Sequence, residues 1–306
     1  MRIVFFGSPA FAVPSVTALT EAGHEIALVV SQPARPVGRR AALTDPPVAR
    51  LAKEKGLSLF QPPSLKPDEA VARLAEPSAD VFVVAAYGKI LSPRVLALPR
   101  LFCVNVHGSI LPRWRGASPV QAAILAGDAT TGISIMRMEA GMDTGPVFAV
   151  RETAISAAEN AGELGARLAD MGAALLVETL ARLPLEPVPQ DDALATYCPK
   201  ISREDGLVDW TFSAVALSRQ DRAFTPWPGL HTFRRGARLK LAGLSPLAGH
   251  RGAAPGTVLS VSPALTVACG DGAVAVRTLQ AEGRRAAAAA EFARGERVAA
   301  GDVWPS

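Results

Sequence analysis

Cysteine is scarce. Cys103, Cys198 and Cys269 are the only three in 306 residues, odd in number and far apart. They make no CxxC pair and no metal-type spacing, which argues against a disulfide framework and against a zinc site. Long hydrophobic runs are lacking too. No apolar stretch approaches the roughly 20 residues of a membrane span. The N-terminus, Met1-Arg-Ile-Val-Phe-Phe-Gly7, enters a strand at once and carries no small-residue cleavage site, so it does not read as a signal peptide. The expected compartment is the cytoplasm, with no membrane partner. Charge of one sign is not in large excess: 32 Lys and Arg face 28 Asp and Glu, a formal +4 that permits an anionic partner without requiring one. A phosphate-cradling loop is also missing. Gly7-Ser8-Pro9 follows the first strand, but the GxGxxG spacing is absent and Pro9 removes a backbone donor.

What is there is an alternation. Arg2–Phe6, Glu25–Val30, Leu57–Phe60, Val81–Ala86 and Leu101–Val106 read as short apolar strands. Ala10–Ala22, Val48–Lys55, Asp68–Ala75 and Pro119–Ala126 read as helices between or after them, and Ser31–Pro47 as a long loop. Continuous apolar strands alternating with helices imply a parallel sheet covered on both faces. Gly132–Met138 and Val147–Ile155 lack an intervening helix and predict a hairpin-like edge; Ala161–Leu183 predicts a long closing helix. Leu183–Tyr197, with three prolines and a Gln-Asp-Asp run, has linker composition. Beyond it, Lys240–Leu244, Gly256–Val261, Leu265–Cys269 and Ala273–Leu279 are short strands punctuated by Gly and Pro, with a tight turn at Cys269-Gly-Asp-Gly272 and a helical alanine run at Ala286–Ala290. The expected class is therefore α/β: a Rossmann-like, mostly parallel sheet domain over residues 1–189, a linker over 190–206, and a smaller antiparallel, OB-like β-barrel domain over 207–306.

The segment Phe102-Cys-Val-Asn-Val-His-Gly-Ser-Ile-Leu-Pro-Arg-Trp-Arg-Gly116 carries the most chemistry. Side chains two apart share a strand face, so Asn105 and His107 lie side by side where the strand runs out. Strand ends are where open α/β sheets bind ligands. An amide donor beside an imidazole suits oxyanion stabilisation and proton movement, although an isolated histidine is more often structural. Asp143, in Ala140-Gly-Met-Asp-Thr-Gly145, is a carboxylate held in a tight glycine-flanked loop. Spacing alone leaves open whether that loop meets His107. Arg113 and Arg115 flank Trp114, an arrangement open to an anionic substrate or to a packed surface loop. Arg35, Arg39 and Arg40 sit on the long loop and suit phosphate contacts.

These motifs strongly resemble the folate-dependent formyltransferases, and within them the methionyl-tRNA formyltransferases, almost end to end. The resemblance runs through Gln32-Pro-Ala-Arg-Pro-Val-Gly-Arg39, Ala86-Tyr-Gly88, Asn105 to Pro119, Gly141-Met-Asp-Thr-Gly145, Lys200-Ile-Ser-Arg-Glu204 and Arg222-Ala-Phe-Thr-Pro-Trp-Pro228. It implies formyl transfer from 10-formyltetrahydrofolate to the amino group of initiator methionyl-tRNA. No metal is expected, since the formyl carbonyl is already an activated amide of an aromatic amine, and a monomer is expected, since nothing in the sequence reads as a dedicated interface. By the same resemblance Asn105, His107 and Asp143 are the catalytic trio, with Asp143 orienting His107. Ser109, Ile110, Leu111 and Pro112 contact the folate, with Tyr87 and Gly88 bordering its cleft. Arg35, Arg39 and Arg40 contact the tRNA, although Ala41-Ala42 stands where relatives often carry lysines. The C-terminal region, with 14 Lys and Arg against 11 Asp and Glu from Gln190 onward, supplies a weak second electrostatic surface, densest at Arg234, Arg235, Arg238 and Lys240. Trp227, between two prolines, is expected to be a packing anchor. A formyltransferase acting on a small amine is the nearest alternative; a non-enzymatic binding module on the same scaffold is the other.

Overall fold

The structure is a computed structural model that describes residues 1–37, 42–247, 249 and 252–305. In chain order the elements of the first half are β1 (Arg2–Gly7), α1 (Val13–Glu21), β2 (Glu25–Val30), β3 (Arg35–Val37), β4 (Ala42–Thr44), α2 (Pro47–Glu54), β5 (Leu59–Phe60), α3 (Asp68–Ala75), β6 (Val81–Ala85), α4 (Pro93–Leu96), β7 (Phe102–His107), β8 (Arg115–Gly116), α5 (Pro119–Ala126), β9 (Thr130–Arg137), β10 (Val147–Ala154) and α6 (Ala161–Ala181). The second half adds β11 (Tyr197–Cys198), α7 (Ala214–Ala223), β12 (Leu230–Arg234), β13 (Ala237–Leu247), β14 (Val258–Ser260), β15 (Leu265–Ala268), β16 (Ala273–Ala281), β17 (Ala287–Ala288) and α8 (Ala289–Gly295). Among the described residues no helix is long and apolar enough to cross a membrane.

The chain divides into two compact units. The first comprises Met1–Pro119, Thr130–Ala154 and Leu164–Pro199; the second comprises Val120–Ala129, Ile155–Glu163 and Lys200–Ser306. The division is not a single cut, because two short segments of the first half fold with the C-terminal unit.

The first unit is built on a seven-stranded sheet of order β10-β9-β7-β6-β1-β2-β5. The five strands from β5 to β7 are parallel, while β9 and β10 close the edge antiparallel, as the helix-free sequence between them predicts. The chain steps outward from β1 to β2 and β5, then returns to the other side of β1 with β6 and β7. That reversal creates the crevice in which such sheets bind ligands. The central strands are apolar because both faces of the sheet are covered: every residue of β6 is buried, as are the last five of β1. In this core the Phe6 ring packs edge to face with Tyr87 and tilted against Phe82. Gly172 of α6 lets the helix approach β7 closely, since a Cβ there would meet Val106 Cγ1 at 2.8 Å. Within the expected loop 31–47 the short strands β3 and β4 pair antiparallel, and α4 is a helix that the sequence pattern does not announce.

The second unit is a six-stranded antiparallel sheet of order β12-β13-β16-β15-β14, with β17 also on β16. The tight turn at 269–272 is present, its Cys269 N–H donating to the Gly272 carbonyl at 3.0 Å. The alanine run departs from expectation: Ala287 and Ala288 pair with β16 before α8 begins. An open strand edge offers those residues hydrogen bonds that a short isolated helix does not. Helix α7 was also unanticipated. It starts at a Ser213 cap and buries Asp221, whose Oδ2 accepts from the Gly243 and Leu244 N–H groups at 2.9 Å each. A carboxylate on the buried face hides the apolar periodicity.

Candidate functional site

Strand alternation arranges the site as the sequence predicts. Val106 points to α6, so Asn105 and His107 share the opposite face at the C-terminal end of β7. Antiparallel pairing sets Asn105 against Met136 and His107 against Ser134. His107 is 4% exposed.

The loop after β7 is organised from within. Ser109, fully buried, donates through Oγ to the Arg113 carbonyl at 2.5 Å. Ser134 Oγ donates to the Ser109 carbonyl at 2.8 Å and accepts from the Leu111 N–H at 3.0 Å. Trp114 then takes a left-handed conformation, φ 61°, its N–H anchored on Thr196 Oγ1 at 2.9 Å. This turn aims the Trp114 carbonyl at His107, whose Nε2 donates to it at 2.9 Å. A carbonyl only accepts, so Nε2 carries hydrogen and the remaining nitrogen, Nδ1, is the one available for chemistry.

Asp143 comes to that nitrogen from a separate loop, its Oδ2 lying 3.7 Å from His107 Nδ1. The distance is that of an ion pair and too long for a hydrogen bond. The Trp114 carbonyl thus makes the hydrogen bond to the imidazole, and the Asp143 carboxylate faces its other nitrogen. Asp143 is itself oriented by two donors. The Gly116 N–H reaches Oδ2 at 2.9 Å, and Asn105 Nδ2 approaches Oδ1 at 3.4 Å. The residue sits at φ 53°, and the loop returns through Gly145, where a Cβ would lie 1.9 Å from the Arg137 carbonyl oxygen. The loop thus meets His107, the question that spacing left open.

Gln190, Trp114 and Gly116 contribute in ways the sequence reading missed. Gln190 Nε2 donates to the Asp143 and Gly145 carbonyls at 2.8 and 2.7 Å. Its Oε1 accepts from Arg115 Nε and Nη2 at 3.0 and 2.9 Å. Arg115 is 1% exposed and pairs with Asp192 at 2.7 Å. It is a buried post, not a cation offered to an anionic substrate. The 190–198 stretch, linker-like in composition, belongs to this unit and pairs β11 with β8. Trp114 and Gly116 reach His107 and Asp143 through backbone groups, which no side-chain pattern reveals. The Arg113 guanidinium lies over the Trp114 ring, 4.4 Å from its centroid.

The other expected residues distribute unevenly. Ile110 and Pro112 are partly exposed beside the buried Leu111, which clusters with Met136 and Val147. Gly88 is exposed at the end of β6. The Tyr87 ring is in the core, and burial pushes its hydroxyl up to about 12. Arg35 is exposed on β3, while Arg39 and Arg40 lie outside the described residues. In the second unit Arg234 pairs with Glu296 and Asp302, and Arg238 donates to His231 Nδ1 at 3.0 Å, so only Arg235 and Lys240 of that basic group are exposed. Trp227 is 51% exposed. The buried tryptophans that pack this unit are Trp210 and Trp304.

Residues 1–180 match the formyl transferase family, and residues 200–297 match the formyl transferase C-terminal domain family. A methionyl-tRNA formyltransferase of Dechloromonas aromatica is 46% identical over 303 residues, covering 99% of this chain and 98% of its own length. A methionyl-tRNA formyltransferase of Ruegeria pomeroyi is 50% identical over 296 residues, covering 96% of this chain and 97% of its own. HypX from Aquifex aeolicus, solved in complex with tetrahydrofolic acid, superposes with a TM-score of 0.64 at 19% identity. The alignment covers 96% of this chain but only 47% of that one, and at this identity the likeness speaks for the fold alone.

Proposed function

We propose the following function for the chain, which belongs to the formyl transferase family: it transfers the formyl group of 10-formyltetrahydrofolate to the amino group of initiator methionyl-tRNA. The observation that carries the reading is the meeting of Asn105, His107 and Asp143 at one strand end. Full-length identity to methionyl-tRNA formyltransferases supports the tRNA substrate over a small amine.

The cosubstrate supplies a formyl group on a nitrogen that departs easily. The residues fit its binding: the buried Leu111, Met136 and Val147 offer an apolar wall for a flat ring, with Ile110 and Pro112 partly open beside it. Ser109 commits its hydroxyl to the Arg113 carbonyl and its own carbonyl to Ser134 of β9, so its part is to hold the loop's shape. Tyr87 and Gly88 border the cleft, Tyr87 through its backbone.

Asn105 Nδ2 donates to the formyl oxygen as negative charge builds there, and a proton on His107 Nδ1 is the second donor. The attacking amine must lose one proton and the departing nitrogen must gain one. His107 and Asp143 together carry that proton, with the carboxylate balancing the charge of a protonated ring. No step calls for a metal.

The tRNA is a polyanion gripped through phosphate contacts. Arg35, Arg39 and Arg40 are the first contacts proposed, with Arg235 and Lys240 a weaker second surface. The protein works as a cytoplasmic monomer. The test runs labelled formyl transfer from 10-formyltetrahydrofolate in parallel to charged initiator tRNA, charged elongator tRNA and small amines. Transfer confined to the initiator species is expected; preferential transfer to a small amine overturns the substrate reading.

A further inference from the structure

We propose that Gln190 is a positioning residue for Asp143, fixed in its own place by Arg115. The inference rests on the reading of Asp143 as a proton-handling carboxylate.

The loop around Asp143 is poorly supported from outside. Glu139, Ala140, Gly141 and Met142 are all exposed, and Asp143 itself holds a left-handed backbone. Aspartate tolerates that conformation better than most residues, so the bonds around it decide how firmly it is held. Gly116 and Asn105 hold the carboxylate, and one side-chain amide holds the backbone. The two hydrogens of Gln190 Nε2 go to the carbonyls of Asp143 and Gly145, one on either side of Thr144. Its oxygen takes two hydrogens from the buried Arg115 guanidinium, and Asp192 takes another from Nη2. All four hydrogen-bonding positions of the amide are filled, which fixes its orientation.

The residue type follows from the partners. Two carbonyls on one side require donors, and a guanidinium on the other requires an acceptor. A glutamate satisfies Arg115 but turns a second oxygen on the carbonyls. A lysine satisfies the carbonyls but sets a cation against Arg115. Glutamine does both. The geometry also converges: Arg115 reaches the Asp143 backbone through Gln190, while the next residue, Gly116, donates its N–H to the Asp143 carboxylate. One two-residue strand therefore fixes both ends of the acid. Without the amide, the Asp143 and Gly145 carbonyls lose both of these donors, and the 3.7 Å approach of the carboxylate to His107 lengthens.

Gln190→Glu separates positioning from packing because it keeps an acceptor for Arg115 while removing both donors to the Asp143 loop. We expect an unchanged melting temperature, a KM for 10-formyltetrahydrofolate near the parent's, and kcat lower by about 10- to 100-fold, the scale of loss when a reacting group is displaced by an ångström. In an Asp143→Asn background the same change should lower residual kcat by less than about twofold, since groups that act as a unit are not additive. Parental kcat in Gln190→Glu overturns the proposal. So does an equal fold-loss in both backgrounds, which marks a general structural defect. Failure of the underlying reading shows itself separately, as full activity in Asp143→Asn alone. A crystal structure of Gln190→Glu gives a readout independent of activity. Displacement of the Asp143 carboxylate from His107 is expected; a carboxylate in its present position, with φ unchanged, overturns the proposal. Gln190→Met, which lacks both donor and acceptor, should lose kcat and melting temperature together.

Discussion

Nδ1 of His107 stands 3.7 Å from Oδ2 of Asp143, while Nε2 of the same ring is bound to the Trp114 carbonyl at 2.9 Å. The two nitrogens thus have separate duties. One fixes the ring and the other faces the carboxylate and the cleft. A neutral ring presents a lone pair to Asp143, and a protonated ring presents a hydrogen, so the pair is arranged for a state in which a proton has arrived.

Asn105 is the donor in the proposed transfer that needs no change of protonation. Replacing it with alanine should cost about 2.7–4 kcal/mol of barrier, roughly 100- to 1,000-fold in kcat. It also removes a donor to the Asp143 carboxylate. Steady-state kinetics at saturating tRNA and folate check this, with the KM values expected to move little.

Arg39→Glu should weaken use of methionyl-tRNA and leave folate affinity intact, because a phosphate contact adds to polyanion binding without touching the formyl donor. The KM for methionyl-tRNA, measured over a range of salt, should rise and depend less steeply on salt than the parent's. Parallel loss of folate binding would instead point to misfolding.

His231 makes acid stability testable. Burial and then the neighbouring Arg238 guanidinium hold its imidazole below the ordinary value of 6.5. Below that value the unfolded chain takes up the proton while the folded chain resists it, so the unfolded state binds more protons and stability rises with pH. The contribution is complete above about pH 6.5 and is lost progressively as pH falls toward the lower folded value. Denaturant midpoints measured at descending pH should fall more steeply for the parent than for His231→Gln, once both are normalised to neutral pH.

Much of this architecture is legible in residue order. Apolar strands, their spacing and the two-residue alternation at Asn105 and His107 are local signals, and the structure keeps them. The glycines around Asp143 announce a constrained carboxylate, though not its partner. What is hidden is whatever long-range packing decides. Gln190 lies in a proline-rich stretch whose composition reads as a connector, yet the buried Arg115, 75 residues earlier in the chain, needs an acceptor there. Helix α7 is masked by a buried Asp221, whose partners are backbone amides of β13. Among the groups that orient His107 and Asp143 are a backbone carbonyl and a backbone N–H, which every residue but proline carries and which only the fold can aim.

The most direct test of the account is the single-turnover rate of formyl transfer to initiator methionyl-tRNA by Asp143→Asn, with both substrates saturating. The account predicts retained folate binding and a rate lower by about 100-fold or more, the usual share of a positioned acid or base. A rate equal to the parent's would contradict it, because the carboxylate would then have no part in moving the proton.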